Sequence, residues 1–281
     1  MSIMKKAKKV PSLVQIAEEL GCREVRHGGF CWFECNTNAE KSVLILHGVT
    51  GGKLDMMPLA REYARRGWAV YCLDLPGHGG SAMPELQSYD DLAVWLKRAL
   101  AEIGREFDLI VSNSYASAIV YHALNKGYIP GQTEIFLGCP TPTTSRLADS
   151  MQKAVDYLPS RPVWQIYNTL PIQIVRIKIA LKTRNSEAWA WLRESESKKK
   201  SYTTIESTSA LSTLLYADNP FKIPLPLENQ KSLTIVMGTK DNVASRGAIQ
   251  TMKKLAPEAK LVEVRGVGHI LHFEAWRSLI K

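Results

Sequence analysis

The chain of 281 residues has no C-x-x-C pair, and its five cysteines (Cys22, Cys31, Cys35, Cys72 and Cys139) are odd in number and scattered. That pattern argues against a disulfide framework and against thiolate-ligated zinc or iron–sulfur clusters, and it fits a reducing, cytoplasmic setting. No stretch approaches ~18 uninterrupted apolar residues, so none reads as a membrane span. Internal repeats and low-complexity tracts are missing too, and no histidine stands at metal-ligand spacing from a carboxylate. Neither a metal nor a cofactor is expected. The basic residues accompany no nucleic-acid-binding motif and no array of stacking aromatics, so nucleic acid is not an expected partner.

What the sequence does have is core-forming material, with 45% hydrophobic and 22% charged residues. A single α/β unit often holds ~250 residues, so one domain with a large insertion is expected. The net charge of +9 is unevenly placed. Residues 1–9 carry +4 and residues 141–216 carry +5, while 10–140 and 217–281 cancel at −4 and +4. The lysine-rich start resembles the opening of a signal peptide. However, the following Val10–Leu20 contains Pro11, Gln15, Glu18 and Glu19 and no cleavage pattern. It reads as a short amphipathic helix, capped by Ser12 with Gln15 and stopped by Gly21. The helix is expected on the domain edge; the sharper alternative lays it on a membrane surface.

Residues 22–36 read as a hairpin turning at Gly28-Gly29, and 42–47 as a buried strand. Helices are then expected at 57–66, 89–104 and 115–126, alternating with strands at 68–73, 107–112 and 132–138. After a long interval the pattern resumes with strands at 232–238 and 260–265 and helices at 243–256 and 272–280. Such alternation predicts right-handed crossovers and a mostly parallel sheet covered on both faces. The interval 141–216 reads as several helices inserted after the sixth core strand, with Glu194 to Lys200 as a charged loop.

In an open parallel sheet, active groups collect at the carboxyl ends of strands. One such end carries Ser112-Asn113-Ser114-Tyr115-Ala116-Ser117 ahead of a helix. A serine at the apex of a sharp strand-to-helix turn needs small residues two before and two after it. Ser114, flanked by Ser112 and Ala116, meets that condition; Ser112 and Ser117 fail it because Ile110 and Tyr115 are large. Two later strand ends carry Asp241, after Gly238, and His269, in Gly266-Val-Gly268-His269. A nucleophile, a general base and a group orienting that base are what acyl transfer requires.

Together these residues resemble the α/β-hydrolase family over about residues 40–140 and 230–281. His47-Gly48-Val49-Thr50-Gly51-Gly52 is similar to that family's oxyanion loop, and Asp74-Leu-Pro-Gly77-His78-Gly79-Gly-Ser81 to its D-x-x-G-H-G-x-S loop. The closest flavour is the lysophospholipase, monoacylglycerol-lipase and carboxylesterase branch. The resemblance implies a catalytic triad of Ser114, Asp241 and His269, with the backbone N–H groups of Val49 and Tyr115 facing an oxyanion. It departs from the usual G-x-S-x-G elbow, where Ser112 and Ala116 replace both glycines. It also implies a core of 1–140 and 217–281, with 141–216 as a helical cap.

His47 and His78 sit in tight loops and are expected to hold backbone, while His272 is the one rival base. In the insertion, Trp164, Trp189 and Trp191 are expected either to form its core or to line an acyl pocket. Arg176, Lys178, Lys182 and Arg184 read as a solvated face or as an approach for anionic substrates or surfaces. The leading expectation is a serine hydrolase of acyl or lipid-like carboxylic esters, working through an acyl-enzyme. A thioesterase or esterase acting on carrier-linked acyl chains, delivered by an acidic carrier protein, is the neighbouring alternative. An anionic membrane surface is the other candidate partner. Carbon–carbon bond hydrolysis and a non-catalytic binding protein complete the set.

Overall fold

The apolar strands leave no polar face, so both sides must be covered. β3 (Ser42–Leu46), β4 (Ala69–Leu73) and β5 (Leu109–Asn113) are buried along their whole length. The computed structural model describes residues 10–157, 162, 165–166 and 168–281. The sheet also contains β1 (Arg23–His27), β2 (Phe30–Cys35), β6 (Glu134–Gly138), β7 (Leu233–Gly238) and β8 (Lys260–Val264). Its order is β1-β2-β4-β3-β5-β6-β7-β8. All pairings from β4 across to β8 are parallel, and the β1–β2 hairpin adds antiparallel along the β4 edge.

Alternate residues of each strand feed two cores. Leu44, Leu46 and Ile110 face one side, with α3 (Tyr89–Ile103), α4 (Tyr115–Asn125) and α10 (Ala248–Leu255). Val43, Ile45, Leu109 and Val111 face the other, with α1 (Leu13–Glu19), α2 (Met57–Arg65) and α11 (Leu271–Glu274). Each fully buried side chain of this kind contributes about 1.5–3 kcal/mol. Helix α1 has the expected capping box, Ser12 Oγ accepting from Gln15 N and Gln15 Oε1 from Ser12 N. It packs on the protein, with Leu13 and Ile16 wholly buried.

Between β6 and β7 lie α5 (Arg146–Tyr157), α6 (Leu170–Ala180), α7 (Ser186–Tyr202) and α8 (Ile205–Ala217), followed by the short α9 (Leu227–Gln230). Three expectations need correction. The Glu194–Lys200 charged loop is part of α7, where Glu196 and Lys199 turn inward. The helix expected from 243 starts at Ala248, because the Asp241 carboxylate takes the N–H groups of Val243 and Ala244. Residues 243–245 pair instead with 143–145, through Ser145 N to Val243 O and Ser245 N to Thr143 O. Finally, the helix expected at 272–280 breaks at Ala275 into α11 and a 3₁₀ turn over Trp276–Leu279.

Candidate active site

Ser114 joins the end of β5 to the start of α4 with φ 58° and ψ −119°, a conformation that costs a non-glycine residue about 1–3 kcal/mol. Its surroundings hold the strain in place. Ser114 N donates to Gly138 O at 2.7 Å, and Ala116 is fully buried. The Ser112 hydroxyl lies 3.2 Å from that of Ser117. The two small flanks of Ser114 are thus both buried.

The loops that carry Asp241 and His269 are joined along their backbones. Thr239 N donates to Val264 O and Lys240 N to Val267 O. Gly238 permits this approach, since a Cβ there would lie 2.3 Å from Gly268 O. Asp241 then projects onto His269, whose Nδ1 is 2.7 Å from Asp241 Oδ2 and whose Nε2 is 2.6 Å from Ser114 Oγ. A carboxylate can only accept, so Nδ1 carries the proton and Nε2 is left to accept from the serine hydroxyl. Burial opposes the charge of Asp241. The facing His269 and the N–H groups of Val243 and Ala244 outweigh it and hold the carboxyl below its usual range. Cys139 completes the one cluster of metal-ligating side chains among the described residues, and two of its three members are already hydrogen-bonded to each other.

The Gly48 loop passes against the serine; a Cβ on Gly48 would lie 3.2 Å from Ser114 Cβ. His47 Nδ1 donates to Gly48 O at 2.7 Å while its Nε2 accepts from Leu75 N at 3.0 Å. Burial keeps this ring far below its usual pKa and hence neutral. Because Gly48 C=O and Val49 N–H belong to one planar peptide, the ring fixes both. His78 Nε2 lies 2.7 Å from Val49 O. Both histidines thus hold backbone. The N–H groups of Val49 and Tyr115 have no acceptor among the described residues. Tyr115 N belongs to the first turn of α4, where a helix leaves its donors unpaired.

Above Ser114 lies a cavity of about 400 Å³, mostly apolar in lining and reached by residues of α5 through α8. His272 lines it but bonds neither Ser114 nor Asp241, and burial lowers its pKa to about 3. Trp189 and Trp191 do not line this cavity. Trp191 is wholly buried at the scaffold interface, stacked edge-on against Trp276 at 5.2 Å, with its indole N–H on Pro11 O. Trp189 donates to Thr183 O. Trp191 belongs to the core shared with α1, α2 and α11, and Trp189 packs against that core from a partly buried position; Trp164 lies outside the described residues.

Two acids escaped the sequence reading. Glu274 accepts from Gly268 N at 3.0 Å and from Lys182 N at 2.8 Å, clasping the His269 loop to the segment after α6. Burial pushes its carboxyl upward against those two bonds. Its one sequence signal is an acid inside the apolar run Ile270–Trp276. Asp55, in the 3₁₀ turn Lys53–Met56 after the Gly48 loop, lines the cavity and carries no local signal.

A model of the alpha/beta hydrolase family matches residues 43–280. The chain belongs to that family. As an alpha/beta hydrolase it has many structural counterparts. A bacterial membrane phospholipase A superimposes with a TM-score of 0.70 at 16% identity, over 94% of this chain and 86% of that one. Carboxylesterase CesB of Bacillus subtilis gives 0.66 at 14% identity, covering 95% and 92%. The 2-hydroxy-6-oxo-6-phenylhexa-2,4-dienoate hydrolase of Rhodococcus sp. strain RHA1 gives 0.67 at 14%, covering 92% and 94%. At these identities the likeness is one of fold. No curated protein sequence matches this alpha/beta hydrolase. Among the described residues, no helix is long and apolar enough to cross a membrane.

Proposed function

We propose that the protein is a serine hydrolase of carboxylic esters, with Ser114 as nucleophile, His269 as general base and Asp241 as the group that orients it. One observation carries the reading: an unbroken chain of hydrogen bonds, 2.6 Å from Ser114 Oγ to His269 and 2.7 Å from His269 to Asp241, beside an apolar cavity. Ser114 Oγ attacks the ester carbonyl as its proton passes to His269 Nε2. The resulting imidazolium is stabilised by Asp241, which stays ionised because its pKa is already low. The N–H groups of Val49 and Tyr115 receive the oxyanion, each lowering the barrier by about 3–4 kcal/mol. His269 then protonates the leaving alcohol, and water, deprotonated by the same ring, releases the acyl group from Ser114. Residues 141–216 act as a cap that shields the acyl chain. The replaced elbow glycines are compatible with this chemistry, since the strained serine conformation and its buried flanks are retained.

A panel of p-nitrophenyl esters of increasing chain length tests the reading. The parent protein hydrolyses them with an optimum set by the cavity, and Ser114→Ala lowers kcat by about 10⁴-fold or more. Equal turnover by the two proteins would remove Ser114 as nucleophile. Activity confined to thioesters or to a dienone would keep the triad and change the substrate class.

A further inference from the structure

A surface helix of a globular protein ordinarily turns its apolar stripe to the core and its charged face to water. Helix α6 does the reverse. Its Arg176 turns inward to a bond with Glu196 of α7, next to the buried Ile177. The positions that face solvent recur at helical spacing, with Leu170, Ile174 and Lys178 on one row and Pro171, Val175 and Ile179 on the next. All but Lys178 are apolar. Leu170 is 68% exposed, and Ile166, four residues ahead of it, 60%. Scattered apolar side chains are ordinary on a protein surface, whereas a contiguous row of them marks a surface that something covers.

This row runs to the cavity. Ile179 is exposed and also lines the cavity, and so is Leu147 of α5. Whatever covers α6 therefore lies over the approach to Ser114. A folded partner or a second copy seated there would shut substrate out, whereas a lipid layer would supply it. Charge selects the kind of layer. No acid occurs between Asp156 and Glu187, a stretch that holds Arg161, Arg176, Lys178, Lys182 and Arg184. Arg176 is bonded to Glu196, but Lys178 and Arg184 are exposed and meet no carboxylate among the described residues. A second copy would set these cations against their own kind, and anionic headgroups would pair them. An apolar row with cations along it suits a helix lying at the boundary between headgroups and acyl chains.

We propose that the outer face of α6 seats the protein on an anionic lipid surface. The mouth of the cavity then lies against the layer, and an acyl ester passes from it to Ser114 without crossing water. The docking face stands on its own observations; the delivery of substrate rests on the hydrolase reading.

The test uses the double variant Leu170→Gln/Ile174→Gln, at two positions outside the cavity lining where glutamine suits a helix. The parent protein co-sediments with vesicles of phosphatidylcholine and phosphatidylglycerol, binds pure phosphatidylcholine vesicles about tenfold more weakly, and is released by salt. The variant loses about tenfold or more in affinity for the mixed vesicles. It cleaves p-nitrophenyl palmitate held in those vesicles more slowly by a similar factor, and water-soluble p-nitrophenyl acetate at the parent rate. Its Tm does not fall, because both side chains lie outside the core; a marked fall would mean that they are packed and would overturn the exposed face. Equal vesicle binding by parent and variant would move the contact elsewhere, for instance to the lysines of residues 1–9, and overturn the proposal. A parent dimer that the variant converts to a monomer would assign the face to a second copy and overturn it too. Ester hydrolysis without binding to either vesicle sinks the docking face alone. Binding to the mixed vesicles by a protein that cleaves neither ester sinks the hydrolase reading and leaves the docking face standing.

Discussion

Ser114, Asp241 and His269 are each placed by a turn of a few residues at a strand end, whereas Arg176 meets the Glu196–Lys199 pair through the packing of one helix, α6, on another, α7. The first group is held by backbone: a left-handed serine, an Asx-type turn at Asp241, and a glycine loop zipped to the neighbouring strand end. The second is held by side chains, Arg176 of α6 meeting Glu196 of α7, and Glu196 meeting Lys199 one turn along α7. Local backbone demands restrict which residues a short motif tolerates. Helix–helix contacts leave the choice of residue to distant partners. The scaffold side of the site is thus rigid and locally encoded, and the insertion side is adjustable.

If α7 is anchored by the core below it rather than by the cavity, Trp191→Ala should cost about 3–5 kcal/mol of stability. Hydrolysis of a short ester by the protein that remains folded should change by no more than about threefold. A raised KM with unchanged Tm would return Trp191 to the pocket. On the scaffold side, Gly268→Ala brings a Cβ within 2.7 Å of Glu274 Oε1 and 2.8 Å of Ala180 O. The loop must shift, and kcat should fall about 100-fold, the cost of misplacing His269 by about an ångström. Undiminished kcat would mean that the His269 loop is not held as tightly as its contacts indicate.

Asp55 lies where the two regions meet, and its titration gives a smaller, signed effect. Its folded pKa of about 7 lies above that of an exposed aspartate, so the folded chain binds this proton more tightly than the unfolded chain. The corresponding stabilisation is complete below the unfolded value near ~4 and is lost as pH rises through 7. In Asp55→Asn that loss is absent. The Tm of the variant relative to the parent should therefore climb by a few degrees between about pH 5 and pH 8. A flat difference would place Asp55 in contact with more water than its burial implies. The smallest effect is expected at Lys178 and Arg184, both exposed. Neutralising them should leave kcat/KM within about twofold and stability within about 0.5 kcal/mol.

The same contrast explains what could be read from the amino-acid sequence. Strand and helix alternation, the Gly28-Gly29 hairpin and the α1 capping box are local and legible, and so is the arrangement of Ser114, His269 and Asp241 at strand ends. His47 and His78 were legible as loop-holding residues because each sits among glycines. The start of α10 was not, since Asp241 diverts the N–H groups that a helix would have used. Nor was the inward turn of Arg176, which meets Glu196 twenty residues away. Lysines and glutamates at 194–200 resemble a solvated loop until α7 buries one face of them.

The central claim is that Ser114 is the nucleophile, and covalent trapping tests it most directly. The protein would be treated with a fluorophosphonate, digested, and the modified residue located by mass spectrometry. A single adduct on Ser114 is predicted, lost in Ser114→Ala and formed far more slowly in His269→Ala. No adduct on the parent protein, or one on a different residue, would contradict the account.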